Sequence, residues 1–204
     1  TLVKQLYYSR KGSNSVNNPL YEATLSNYEW SAYDEIIDNL SVNWYLNDYL
    51  TVKGQFSVTK QYTSSERFYD PLSSKVSVYG TTDTKLQGDL FTGEGSSLSW
   101  NSNAFLYYTR SFGNHNFNFS GGWEASAYNT ENTSAQYRGF PSGQFNSLNY
   151  ASEIYKKPTL TENTTRRVSI LATLNYTWND IYLADASVRF DGSSEFGANQ
   201  KWAP

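Results

Sequence analysis

Apolar and polar residues alternate along this chain with a period of two, and no stretch carries the 3.6-residue period of an amphipathic helix. Leu40, Val42, Trp44 and Leu46 alternate with Ser41, Asn43 and Tyr45. Asn47-Asp48 is a turn signal, after which Leu50, Val52, Gly54, Phe56 and Val58 alternate with Thr51, Lys53, Gln55, Ser57 and Thr59. Two apolar/polar runs joined this closely read as a β-hairpin.

The pattern recurs twice. Leu98, Trp100, Ala104, Leu106 and Tyr108 alternate with Ser99, Asn101, Asn103 and Tyr107. After a turn at Ser111–His115, Phe117, Phe119, Gly121, Trp123 and Ala125 alternate with Asn118, Ser120, Gly122, Glu124 and Ser126. In the third copy Val168, Ile170, Ala172, Leu174, Tyr176 and Trp178 alternate with Ser169, Thr173, Asn175 and Thr177. Asn179-Asp180 turns the chain, and Tyr182, Ala184, Ala186, Val188 and Phe190 return with Asp185, Ser187, Arg189 and Asp191 between them. With a first strand at Thr1–Tyr8, the expected strands cover 1–8, 36–46, 49–60, 97–110, 116–128, 166–178 and 181–191.

Within each hairpin the turn is short; between hairpins the connections are long and polar, at about 9–33, 61–96 and 129–165. That asymmetry is characteristic of outer-membrane barrels, whose strands need about 9–11 residues to cross the bilayer. Trp44, Tyr45, Tyr49, Tyr107, Tyr108, Phe112, Tyr176, Trp178 and Tyr182 all stand within a few residues of a short turn. A membrane interface favours rings with one apolar and one wet end, so these are expected to form a girdle at one rim. The fold class expected is all-β: an antiparallel up-and-down transmembrane segment, about seven strands of a plugged barrel of roughly 22. The polar alternates Asn43, Lys53, Gln55, Asn101, Asn118, Glu124, Asn175, Asp185 and Arg189 would face the lumen.

Composition agrees. Charged residues are 17% of the chain, below the roughly 25% of soluble domains. Aromatics also reach 17%, with 18 Tyr, 11 Phe and 6 Trp. Net charge is −3 and the 16 basic residues form no stripe, so nucleic-acid binding has no electrostatic footprint. No apolar run approaches the 18 residues of a membrane-spanning helix. The chain has no Met and stops at Lys201-Trp202-Ala203-Pro204, so both ends are expected to lie inside a longer protein.

Catalysis has little support. With no cysteine there is neither a thiol nucleophile nor a thiolate metal site, and no metal motif or cofactor site is evident. The single histidine, His115, sits in a turn. Glu66 and Asp70, or Asp185 and Asp191, could pair as glycosidase carboxylates, but Arg189 shares the polar face with the latter two, which favours ion pairing. Asn-x-Ser/Thr triplets at Asn118, Asn132, Asn163 and Asn175 are expected by chance in so Asn- and Ser-rich a chain. Loop residues Tyr137, Arg138 and Phe140, in a turn-rich aromatic stretch, are candidate substrate contacts.

Several segments resemble the SusC/RagA family of TonB-dependent outer-membrane transporters. Asn18-Pro19-Leu20-Tyr21-Glu22-Ala23 and Leu46-Asn47-Asp48-Tyr49-Leu50 are two of them. A third runs from Ala186 to Gly197 and is similar to that family's signature at Arg189, Asp191, Gly192, Ser193, Ser194, Phe196 and Gly197, followed by Lys201-Trp202. The resemblance extends over essentially the whole chain; the plug domain and TonB box have no counterpart in it. It implies a multi-pass protein of the outer membrane of a Bacteroidota-type Gram-negative cell, which is no enzyme. It also implies import of glycans or peptides, a SusD-like surface lipoprotein as partner, and energy from the TonB complex acting on parts outside this chain. A secreted carbohydrate-binding β-sandwich remains the alternative from a different class, with a glycosidase third.

Overall fold

The computed structural model describes residues 7–9, 15–76, 84–197 and 201–203. A small antiparallel pair, β1 (Tyr7–Ser9) with β2 (Ser15–Asn17), is followed by the single-turn helix α1 (Pro19–Glu22). Asn18 caps α1 by accepting from the Leu20 N–H, and Pro19 stands at the first helical position, where its missing N–H costs nothing.

Six long strands then run up and down: β3 (Tyr28–Asn47), β4 (Leu50–Tyr69), β5 (Asp89–Phe112), β6 (His115–Arg138), β7 (Glu153–Trp178) and β8 (Tyr182–Ser193). With the two-residue β9 (Trp202–Ala203) they form one seven-stranded sheet ordered β3-β4-β5-β6-β7-β8-β9. Every strand thus pairs with its sequence neighbours, the up-and-down order that hairpins dictate.

The turns follow from their residues. The Asn47 side chain accepts from the Tyr49 N–H at 3.1 Å, an Asx-type turn. Gly113 supplies a positive φ of 58° between β5 and β6. Asn179 and Asp180, both at φ 56°, turn β7 into β8; Asn and Asp tolerate this left-handed region better than other non-glycine residues.

The strands are longer than the alternation alone indicates. β4 continues to Tyr69, β5 begins at Asp89, β6 runs to Arg138 and β7 begins at Glu153. The connections shrink accordingly to residues 70–88 and 139–152. In the added lengths both faces are polar, as in Gln61–Arg67 or Lys156–Thr165, so period-2 alternation vanishes while the main-chain ladder persists. The strand expected at 1–8 is a second departure. Residues 1–6 lie outside the described residues, and Tyr7–Ser9 pairs with β2 rather than joining the large sheet. The sheet's seventh strand is instead β9, where Gly192 pairs with Trp202 and Asp191 with Ala203.

The chain divides into two compact units. One comprises residues 1–34, 62–95 and 132–161, the other 35–61, 96–131 and 162–204. The first has a small core: Phe68, Leu90 and Phe140 are buried, with Tyr28, Tyr137 and Ala151 packed against them. Phe68 stacks on Tyr28 at 5.6 Å and meets Phe140 edge-on at 5.1 Å. Two carboxylates tie its connections together. Glu22 accepts from Asn27, from Ser73 Oγ, and from both the Ser74 N–H and hydroxyl, at 2.7–3.0 Å. Asp70 accepts from the N–H groups of Ser26 and Leu72.

The second unit inverts the usual arrangement. Its large apolar side chains are exposed: Ile36 at 70%, Leu40 at 62% and Ile170 at 54%, against 0% for Phe68 in the other unit's core. Val42, Trp44, Phe56, Phe119, Trp123, Val188 and Phe190 are exposed as well. Soluble monomers rarely leave so much contiguous apolar surface open.

Candidate functional site

Since side chains alternate across a strand, the face opposite the exposed apolar set carries the chemistry. The β6/β7 pair shows how regular this is. Ser120 bonds Thr173 at 2.6 Å in the second unit, and Ser134 bonds Thr159 at 2.7 Å in the first. Phe117 packs on Tyr176 at 4.9 Å, and its parity puts that pair on the other face from Ser120 and Thr173.

In the second unit the polar face is knit by charge. Arg189 donates to both Asp191 oxygens, to Glu124 at 3.2 Å and to Ser169 at 2.9 Å, and the Ser169 hydroxyl in turn bonds Asp191. Asn175, paired across the ladder with Asp185, donates to it at 2.6 Å. Lys53 lies 5.1 Å over the Tyr107 ring. Gln55, Asn101 and Asn118 are exposed on the same strands, and Asn43 is exposed on β3, which stands at one end of the sheet. Asn101, Glu124 and Arg189 line one shallow depression with Arg167 and Ser169.

The Asp-Gly-Ser-Ser run has a structural logic of its own. Asp191 anchors Arg189. Gly192 faces the Trp202 ring so closely that an added Cβ would lie 2.9 Å from it. The Ser193 N–H donates to the Lys201 carbonyl, while Ser194 exchanges bonds with Arg166 through its N–H and Oγ. The Ser193 hydroxyl accepts from the Glu195 N–H, and the Phe196 N–H reaches the Ser193 carbonyl. Phe196 and Gly197 follow exposed in the turn. These residues end β8 and form the turn that follows it.

The first unit holds a groove of about 670 Å³ lined by Glu29, Trp30, Ser65, Arg67, Phe91, Gly93, Gln136, Lys156 and Lys157 among others. Arg67 sits 4.6 Å over the Phe91 ring and 5.6 Å from Tyr69, with Glu29 at 3.8 Å. Its Nε is buried without a hydrogen-bond partner among the described residues. Beside the groove the Tyr28 hydroxyl donates to Glu66; burial, and then that carboxylate, push its pKa up, so it stays protonated. Rings, amide and hydroxyl groups and cations in one open groove suit an oligomeric polar ligand better than bond chemistry.

The three expected loop contacts separate. Phe140 is buried in the core cluster and offers no ring face to a ligand; its apolar ring finds Phe68 and Leu90 instead. Tyr137 is half-buried against the same cluster. Arg138 lies 4.5 Å over the Tyr155 ring and pairs with Glu153 at 2.5 Å, both on β7. Sequence reading missed the Arg67 groove because Ser65–Arg67 and Lys156-Lys157 lie where alternation has faded and the strands were expected to have ended.

No family model matches the chain. It is similar to solved structures of the RagAB peptide transporter and of the RagAB peptide importer in its closed-closed state, each with a TM-score of 0.82 and 22% identity. The first match covers 97% of this chain and 22% of that one. The chain has the fold of a SusC/RagA-type barrel segment. Such a segment is an outer-membrane structure, and the exposed apolar set on alternate residues accords with a lipid-facing wall. A stretch of 100 residues is also 31% identical to TonB-dependent receptor P3 of Formosa agariphila, covering 48% of this chain and 10% of that relative. The chain therefore spans about a tenth of the curated relative it matches.

Proposed function

We propose that residues 1–204 form part of the barrel domain of a TonB-dependent outer-membrane transporter that imports oligomeric nutrients. The SusC/RagA-type segment supplies wall and extracellular connections; the plug and the TonB-contacting parts belong to the rest of the protein. A SusD-like surface lipoprotein is the partner, and glycans or peptides are the cargo. The observation that carries this reading is the sidedness of the strands: exposed apolar residues on one face, and on the other a network of Arg189, Glu124, Asp191, Ser169 and Asn175. Lipid fits the first face and a wet passage the second. In this reading the Arg67 groove, with Phe91, Gln136, Lys156 and Lys157, is where cargo touches the wall, and Arg138 holds the connection beyond it.

The test is uptake by cells carrying the full-length protein, using fluorescent oligopeptides and oligosaccharides in strains with and without TonB. Uptake of one class that stops without TonB is expected. Recovery of the full-length protein from the soluble fraction, with no TonB-dependent uptake of either class, would contradict it.

A further inference from the structure

On β5 the residues Leu106, Tyr108, Arg110 and Phe112 share one face, that of the exposed apolar set. A guanidinium among apolar side chains needs an explanation. Its carbon lies 4.5 Å from the ring centroids of both Tyr49 and Phe112, and Tyr49 is braced edge-on by Tyr108 at 5.8 Å. Among the described residues no carboxylate lies within ion-pairing distance of it, unlike Arg67, Arg138, Arg167 and Arg189, each of which has a carboxylate partner.

Depth along the strand narrows the partner. Arg110 stands two residues before the end of β5, beside a row of rings next to the short turns. Phe112 contacts Phe117, Phe117 contacts Tyr176, and Trp178 contacts Tyr182, at 6.2, 4.9 and 5.4 Å. Such a row marks the headgroup level, where a cation on the lipid face is tolerated. Both rings contact the guanidinium carbon, and among the described residues its N–H groups have no hydrogen-bond partner, which leaves available the donor fork that binds phosphate through two hydrogen bonds.

We propose that Arg110, held between Tyr49 and Phe112, is a binding site for the headgroup phosphate of a membrane phospholipid at the short-turn rim. This rests on the barrel reading and adds to it a specific lipid contact. Arg110 is a lipid-binding residue with no part in the cargo groove.

The test uses the full-length protein purified in detergent, with phosphatidylglycerol binding followed by native mass spectrometry. Assembly of each variant is checked first by heat-modifiable migration. Arg110→Ala should lower affinity for the lipid about tenfold, as loss of a charge-assisted pair of hydrogen bonds implies. Arg110→Lys should retain part of it, and Lys53→Ala, which removes a ring-stacked cation from the polar face, should change nothing. Excess inorganic phosphate should leave the lipid bound; complete displacement would mean a site for free phosphate and would overturn the lipid assignment. Equal lipid binding by assembled wild type and assembled Arg110→Ala or Arg110→Lys protein would overturn the proposal while leaving the barrel intact. A wild-type protein that never assembles in detergent or bilayers would overturn the barrel reading itself.

Discussion

Arg189 reaches both carboxylate oxygens of Asp191, two residues along the same strand, at 2.8 and 2.9 Å. A period of two puts both on one face, and Ser169 on the adjacent β7 and Glu124 on β6 beyond it complete the cluster. Replacing Arg189 with Ala would leave Glu124 and Asp191 without their shared cation. The pairs are partly exposed, so the effect is expected to be modest. We predict a lower melting temperature of the assembled protein and partial recovery in Arg189→Ala/Glu124→Gln. An unchanged melting temperature in the single variant would remove the cluster from any structural role.

The two faces should respond oppositely to charge. Val52→Arg or Leu174→Arg puts a cation into lipid, at a cost of roughly 2–4 kcal/mol near the midplane. Gln55→Arg and Thr173→Arg put it on the polar face and should be tolerated. Yield of heat-modifiable protein in the outer membrane distinguishes them, and equal yields from both pairs would count against the sidedness.

How far the sequence could be read depended on whether the two faces of a strand differ chemically. From Val168 to Trp178 they do, and hairpin, turn and facing were all legible. From Glu131 to Arg138, or Lys156 to Thr165, both faces are polar, so strands that continue by main-chain bonding looked like loops. The burial of Phe140 was hidden for a related reason: in a turn-rich stretch with Pro141 and Gly143, nothing local shows that its ring packs against Phe68. The Arg67 groove draws on β3 to β7 together, and sequence distance hides such a gathering.

Glu22 makes the connections near α1 sensitive to acid. Burial raises its pKa, but hydrogen bonds from the Ser74 N–H and hydroxyl, Ser73 and Asn27 outweigh that and hold it below the ordinary glutamate value of 4.5. A carboxyl depressed by folding contributes stability above its unfolded pKa, and that contribution is lost as pH falls through the folded one. Exchange of the Ser74 amide hydrogen, corrected for its intrinsic pH dependence, should therefore stay slow at neutral pH and accelerate below pH 4.5. Glu22→Gln should exchange fast at both. Protection in Glu22→Gln equal to wild type would refute the anchoring role.

Expressed alone, the 204-residue chain should not behave as a soluble domain. Its core is small, β3 presents an edge, and Ile36, Leu40 and Ile170 are open to solvent. Sedimentation in detergent-free buffer should show aggregates or large oligomers. A cooperatively unfolding monomer would instead favour the β-sandwich alternative.

The sidedness of β7 can be measured directly. The chain contains no cysteine, so single cysteines introduced at each position from Val168 to Trp178 can be spin-labelled in the full-length protein, freed of other cysteines and placed in a bilayer. Collision with oxygen, which concentrates in lipid, should peak at 168, 170, 172 and 174. Collision with a water-soluble nickel chelate should peak at 169, 171, 173 and 175, the two profiles alternating out of phase along the strand. Equal access of the chelate to both sets would contradict a membrane-spanning barrel wall.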